Sequence, residues 1–367
     1  MNYYIRKINQ GISGGKSCTM IKVTVSIRLC FLSVCLVVGT AFSDQWTWVY
    51  KKKFSSDEVK KNKDKKELIC SQVDIPLFTQ LIFSWNAHRP DKGFLTFALQ
   101  VRDAHSGAWS DWHTMFDWGK TVQRSYQNEA FNGISDYIHV RLEMRPNKRA
   151  DGFRIKASGN QQATLLSLKG FAVSCTDYHK FKSEVDNGAL LSLCSVAAIS
   201  GVPFYSQYAL DHPRADSLCS PTAYSMLASF LLKKTIDPLD FARNVHDHGL
   251  DIYGSWPFNG AYAFERCHKK AWFWTIRCNS FTDVHAQLVR GIPAIVSIRG
   301  PLPRGAGDYK NGHLVVVVGW DQIAQEVVCH DPAFNDDHKE HVRYKLHDFL
   351  HAWEKSRRLM YYVELRA

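Results

Sequence analysis

Residues 311–321 read Asn311-Gly312-His313-Leu314-Val315-Val316-Val317-Val318-Gly319-Trp320-Asp321, and the reading of this stretch decides the fold. Apolar residues run without alternation from Leu314 to Val318, the pattern of a strand buried on both faces. Gly312 and His313 stand at its mouth, so the imidazole projects from a rigid frame. The next strand is expected over Val327–Asp331, within Val328-Cys329-His330-Asp331-Pro332. A hairpin centred near Gln322 sets residues 313 and 331 opposite each other on one face. A slip by two residues keeps them on that face, whereas a slip by one does not. His330 then points to the other face and is read as structural or exposed. A carboxylate at 331 holds one imidazole nitrogen while the other takes a proton.

Upstream, Leu218-Cys219-Ser220-Pro221-Thr222-Ala223 enters a helix expected from Cys219 to about Leu232, with Ala223, Leu227, Phe230 and Leu231 on one face. A cysteine at a helix start meets unpaired amides and the positive end of the dipole, which favour thiolate over thiol. Buried helix cysteines are common, so the position alone is only suggestive. Val202-Pro203-Phe204-Tyr205-Ser206-Gln207 lies before it, and a Gln207 amide there is suited to donate to an oxyanion. Asp237-Pro238 reads as an N-cap and first-turn proline, and Thr282 as the cap of a third helix that Gly291 ends. Strands at Ala294–Ile298 and Leu359–Glu364 and a helix from about Lys345 to Lys355 complete an α+β order. Loops 254–260 and 300–312 are expected to line the cleft.

Residues of about 199–364 resemble the papain-like cysteine peptidases of the bacteriocin-leader-processing, or double-glycine, type in their stand-alone exported form. The matching elements are the Pro-x-x-x-Gln lead-in ending at Gln207, the Cys219-x-Pro-Thr-Ala helix start, Trp256-Pro257-Phe258-Asn259 with Ala261, Gly312-His313 with its valine strand, and Asp331-Pro332. The resemblance implies Cys219 as nucleophile, His313 as base, Asp331 as its partner and Gln207 as oxyanion donor. It places Trp256, Asn259, Ser220 and Gly312 at the substrate, a peptide or protein, and implies hydrolysis through a thioacyl intermediate with no cofactor and no metal. Two departures stand out. Ser220 replaces the usual glycine after the nucleophile and is expected to narrow the cleft or shift the backbone. No transporter segment follows, so cleavage of double-glycine leaders is not implied. His347-Asp348-Phe349-Leu350-His351 has the spacing of a zinc motif, but its aspartate is short; the two histidines are read as exposed.

From about 68 to 178 the period is two. Leu95, Phe97, Leu99 and Val101 alternate within Phe94–Val101, apolar positions alternate over Ile138–Met144, and Phe153, Ile155 and Ala157 repeat the pattern. This predicts an all-β antiparallel sandwich. Ser84-Trp85-Asn86-Ala87 and Trp109-Ser110-x-Trp112 are similar to the domain that precedes the peptidase in some exported relatives. Trp109, Trp112 and Trp118 fall near turns, which suggests a second reading: a degenerate peptidase fold whose sandwich contacts a glycan or the cell envelope. Residues 179–198 are expected to connect the two domains, the second running 199–367.

The formal charge of +11 points first to nucleic acid. Residues 1–43 carry +5, however, and residues 51–66, KKKFSSDEVKKNKDKK, carry another +5, so the rest is nearly neutral and nucleic acid is dropped as a partner. Residues 44–67 are expected to be a Lys-rich solvated spacer. Leu29–Gly39, with Lys22 and Arg28 before it and Ala41-Phe42-Ser43 after it, reads as the core of a signal peptide over 1–43, too short to span a membrane. Met20 is an alternative start, with 1–19 an extension. Export, to the periplasm or outside the cell, follows. The mature chain keeps seven cysteines: 70, 175, 194, 219, 267, 278 and 329. An odd count leaves one thiol over. Cys70–Cys175 and Cys267–Cys278 are candidate disulfides, with free buried thiols as the alternative.

Overall fold

The valine run lies in a strand, His313–Asp321, in the interior of a six-stranded antiparallel sheet. Both of its faces are covered. Val315 and Val317 share a core with Phe281, Val284, Phe349 and Trp353, while Leu314, Val316 and Val318 share one with Ala223, Leu227 and Phe258. Helices therefore layer the sheet on both sides, which is why no polar residue interrupts the run.

The computed structural model describes residues 45–61, 65–127, 129–131, 133–161, 164–335 and 341–366. The signal-peptide reading of 1–43 lies outside the described residues. In chain order, β1 (Thr47–Lys53), α1 (Ser56–Lys60), β2 (Glu67–Phe78), β3 (Gln80–Ala87), β4 (Phe94–Asp103), β5 (His113–Gly119), β6 (Gln123–Ser125), β7 (Glu129–Phe131), β8 (Ser135–Ile138), β9 (Arg141–Met144), β10 (Ala150–Gly159) and β11 (Leu168–Thr176) come first. Then follow α2 (Cys219–Leu232), α3 (Pro238–Val245), α4 (Trp256–Cys267), β12 (Ala271–Arg277), α5 (Phe281–Val289), β13 (Ala294–Ile298), β14 (His313–Asp321), β15 (Glu326–His330), β16 (Val342–Lys345), α6 (Leu346–Lys355) and β17 (Leu359–Leu365). The architecture is mixed, and its three sheets are antiparallel. Their strand orders are β1-β11-β3-β9-β8-β7, β2-β10-β4-β5-β6 and β12-β17-β13-β14-β15-β16. The first two face each other, with Phe83 of β3 lying 5.3 Å from Phe97 of β4 between ring centroids.

Several expectations are corrected. The lysine-rich stretch is not a solvated spacer over its first part, because residues 47–53 form an edge strand paired with β11, whereas Lys60, Lys61, Lys65 and Lys66 are exposed. The lysines of this strand find partners: Lys51 lies 3.5 Å from Glu364 and Lys52 2.8 Å from Glu58. Lysines on an edge strand also discourage pairing with another chain. Ile138–Met144 is not one strand. His139 and Val140 have φ of 41° and 60° and make the two-residue turn between β8 and β9, with Ile138 opposite Arg141. A β-branched residue at positive φ is strained; burial of the Val140 side chain holds it there. Helix α2 is buried all round from Ser220 to Ser229, rather than along one face. Ser280, not Thr282, caps α5, in a capping box with Asp283. Neither disulfide forms, and the seven cysteines among the described residues are free thiols.

The three sheets make one body because of how β12 is finished. As an edge strand, β12 turns the N–H groups of Phe273, Thr275 and Arg277 outward. They donate to Asn86 Oδ1 (3.0 Å), Ser84 Oγ (3.0 Å) and Ser174 Oγ (3.1 Å), all on the first sheet. Asn86 Nδ2 returns a bond to the Phe273 carbonyl at 2.7 Å. Residues 179–198 are not a free connector either: Val196 bridges Trp320 at the end of β14.

Candidate active site

The bonded register of β14 with β15 is Trp320 to Val327 near the turn and Val316 to His330 at the far end, with a bulge between Val317 and Gly319. The hairpin is therefore not centred near Gln322, and His313 does not sit opposite Asp331. The bulge shifts the far half by one residue. That shift returns His313 and Asp331 to the same face as diagonal neighbours, within reach of long side chains. His313 Nε2 and Asp331 Oδ1 are 2.6 Å apart.

Asp331 is fully buried and well supplied with donors. The hydroxyls of Tyr309 and Tyr344 donate to Oδ2 at 2.7 and 2.6 Å, and the Ala333 N–H donates to Oδ1 at 2.9 Å. Burial alone would raise the carboxyl pKa; His313, Tyr344 and Ala333 outweigh it and hold the group below the ordinary range. Burial and the neighbouring carboxylate push both phenols well above their usual value, so they remain donors. The Tyr309 ring also lies flat on the imidazole, at 4.4 Å between centroids and 5° between planes. The two tyrosines were not singled out in the sequence. Tyr309 sits in a glycine-rich loop and Tyr344 on an unforeseen strand, β16, so no local pattern marked them.

Burial opposes charge on His313, but Asp331 and then Cys219 raise its pKa to about 10. With Nε2 committed to Asp331, Nδ1 is the nitrogen left free, and Cys219 lies near enough to help raise the pKa of the ring. Cys219 is the first residue of α2. The structure thus brings together Cys219, His313 and Asp331, from one helix start and two strand ends.

The other expected site residues divide. Gly312, at φ 92°, and Trp256 line a cleft of about 490 Å³ together with Cys219. Trp256 opens α4, a helix not foreseen in the sequence although Pro257 in its first turn and Phe258, Ala261 and Tyr262 on one face were available signals. Asn259 points away from the cleft: its Nδ2 donates to the carbonyls of Tyr253 (2.8 Å) and Ser255 (3.0 Å) and so ties down the loop before the helix. Ser220 does not narrow the cleft, since its hydroxyl is buried 3.3 Å from that of Tyr361. Gln207 is not turned toward an oxyanion. Its Nε2 donates to the carbonyls of Ala215 and Asp216, both at 3.0 Å, which commits both amide hydrogens to the turn that leads into Cys219. His330 is structural, buried with Nδ1 3.3 Å from the Pro203 carbonyl. His347 and His351 are exposed.

The tryptophans do not offer a sugar platform. The Arg154 guanidinium lies 3.9 Å from the Trp109 ring centroid, Lys156 Nζ lies 4.6 Å from that of Trp112, and Trp118 is buried. A cationic side chain thus covers one face of each of the two partly exposed rings.

A thiol at a helix start, an imidazole and a buried carboxylate brought together are the parts of a cysteine hydrolase. Residues 199–361 match the Peptidase_C39 like family, and residues 68–138 match the Peptidase C39 N-terminal domain. Over these residues the chain is similar to C39-type peptidases, which supports a cysteine peptidase. No curated protein and no solved structure matches the chain. Among the described residues no helix is long and apolar enough to cross a membrane.

Proposed function

We propose that the protein is an exported cysteine peptidase that hydrolyses a peptide or amide bond, with a papain-like domain from about 199 to the end preceded by a sandwich-like accessory domain. The observation that carries the reading is the His313–Asp331 pair, bonded at 2.6 Å, with Cys219 at the start of α2 near enough to raise the pKa of the imidazole. In this reading His313 takes the thiol proton on Nδ1, and the Cys219 thiolate attacks the carbonyl. The first-turn amides of α2 stabilise the developing oxyanion. The imidazolium then protonates the leaving amine, and water releases the acyl group from sulfur. Asp331, held by two phenols and an amide, fixes the ring so that Nδ1 faces the sulfur throughout.

Intact-mass measurement after iodoacetamide treatment tests this. At neutral pH Cys219 is expected to be alkylated faster than free cysteine, with the advantage lost in His313→Ala. Equal rates, or a rate indifferent to His313, would sink the enzyme reading. Cleavage of a peptide library by the wild type and not by Cys219→Ala is the second expected outcome.

A further inference from the structure

The cleft beside Cys219 is lined by Arg141, Arg214, Arg277, Arg299, Lys355 and Arg357, against a single acidic residue, Asp216. This is not a sample of a generally basic surface, because the sequence outside residues 1–43 and 51–66 is nearly neutral. Nor are the charges all paired internally. Arg214 bonds Asp251 at 3.0 Å, and Arg141 and Arg357 share one carboxylate, Glu143, at 2.6 and 3.6 Å. Arg277 is buried among neutral acceptors: Gln80 Oε1 and the carbonyls of Ser356 and Arg357. The side chains of Arg299 and Lys355 have no carboxylate partner among the described residues, and both are exposed.

Their placement is specific. Arg299 directly follows Ile298, the cross-strand partner of His313, and a Cβ built on Gly312 would lie 3.9 Å from Arg299 Nη2. One on Gly300 would lie 3.2 Å from Lys355 Nζ. The two free cations therefore line one cleft, Arg299 next to the residue that precedes His313 and Lys355 next to Gly300. The strained β8–β9 turn brings His139 and Arg141 to the same cleft from the first sheet.

We propose that the cleft selects peptides carrying a carboxylate near the bond to be broken, and that Arg299 and Lys355 receive that carboxylate. The proposal rests on the peptidase reading for the choice of a peptide as ligand. A guanidinium fork suits a planar carboxylate, and the ammonium lining the same cleft adds a second cation to the attraction. A carboxylate can come from an Asp or Glu side chain or from a chain terminus, so the test separates these sources.

The full chain with Cys219→Ala is titrated with labelled peptides, and binding is read by fluorescence anisotropy. One peptide has an internal Glu and an amidated end, one has Gln in that place and a free C-terminal carboxylate, and one has Gln and an amidated end. At least one carboxylate-bearing peptide is expected to bind about tenfold tighter than the neutral one, and whichever does identifies the source. The preference is expected to weaken with added salt, disappear in Arg299→Gln/Lys355→Gln, and survive in Arg299→Lys. Equal affinity for all three peptides overturns the proposal, as does a preference undiminished in the double variant. Both altered residues are exposed, and matching thermal melts verify that the variants fold. Because binding is read without catalysis, failure here is distinguishable from failure of the peptidase reading, which the alkylation of Cys219 in the wild type decides.

Discussion

Asp331 is buried, charged and bonded to four donors, and its removal has two effects. Asp331→Asn takes the charge from behind the imidazole and leaves Tyr309 and Tyr344 sharing a weaker acceptor. Tyr344→Phe is the milder change. It removes one hydrogen bond to a charged group, for which about 1.5–3 kcal/mol is typical. Peptidase kcat/KM is expected to fall by about tenfold or more, with Cys219 alkylation slowed in parallel; unchanged rates for both would show that the phenol does not hold the carboxylate for catalysis. The histidine also predicts a pH dependence of stability. Its pKa rises from 6.5 unfolded to about 10 folded. Its contribution is therefore complete below about pH 6.5 and is lost as pH rises toward 10. The melting temperature of the wild type is expected to exceed that of His313→Gln by most at pH 6, with the gap closing by pH 10. A gap that is constant with pH would rule this linkage out.

At the scale of elements, the bulge in β14 is decisive. Without it the register near the turn, carried to the strand end, would place His313 and Asp331 on opposite faces. The alternation of the sequence cannot reveal this, because Leu314–Val318 is apolar at every position and a slip costs nothing in hydrophobic pattern. Gly312 shows the same dependence on backbone. At φ 92° with nothing nearer than 3.9 Å to a built Cβ, it is glycine for conformation and not for space. Gly312→Ala is expected to cost about 1–2 kcal/mol, read as a lower melting temperature, and to slow alkylation of Cys219 by displacing His313. Helix α2, by contrast, was legible in its extent, since Ala223, Leu227, Phe230 and Leu231 recur at helical spacing after Cys219, although the helix is buried all round and not along that face alone.

Across the whole molecule, Ser84, Asn86 and Ser174 join the first sheet to the edge of the third. Their places in the sequence, between Phe83, Trp85 and Ala87 and between Val173 and Cys175, look like the ordinary polar positions of half-exposed strands. In the structure they are buried and serve as the missing neighbour of β12. Asn86→Leu leaves the N–H and C=O of Phe273 buried without partners, at about 1–3 kcal/mol for each group. A drop of several degrees in melting temperature is expected, with Cys219 still reactive below the transition. An expressed fragment of residues 199–367 would expose the β12 edge and is expected to aggregate or self-associate where the full chain does not; a monodisperse, monomeric fragment in light scattering would contradict this role for the first sheet.

The sequence by itself determined the local chemistry: a thiol at a helix start, a histidine at the mouth of a buried strand, an aspartate ending the next, and alternating strands before them. Each of these depends on neighbours within a few residues, where periodicity and capping act. Only the tertiary structure decided which polar groups face the cleft. Gln207, Asn259 and Ser220 turn inward to backbone carbonyls and a phenol, whereas Tyr309, Tyr344, Arg299 and Lys355 come to the site from distant elements. Whether a buried polar atom turns inward or faces the cleft is set by the groups packed around it, and those are brought together by the fold and not by adjacency in the chain.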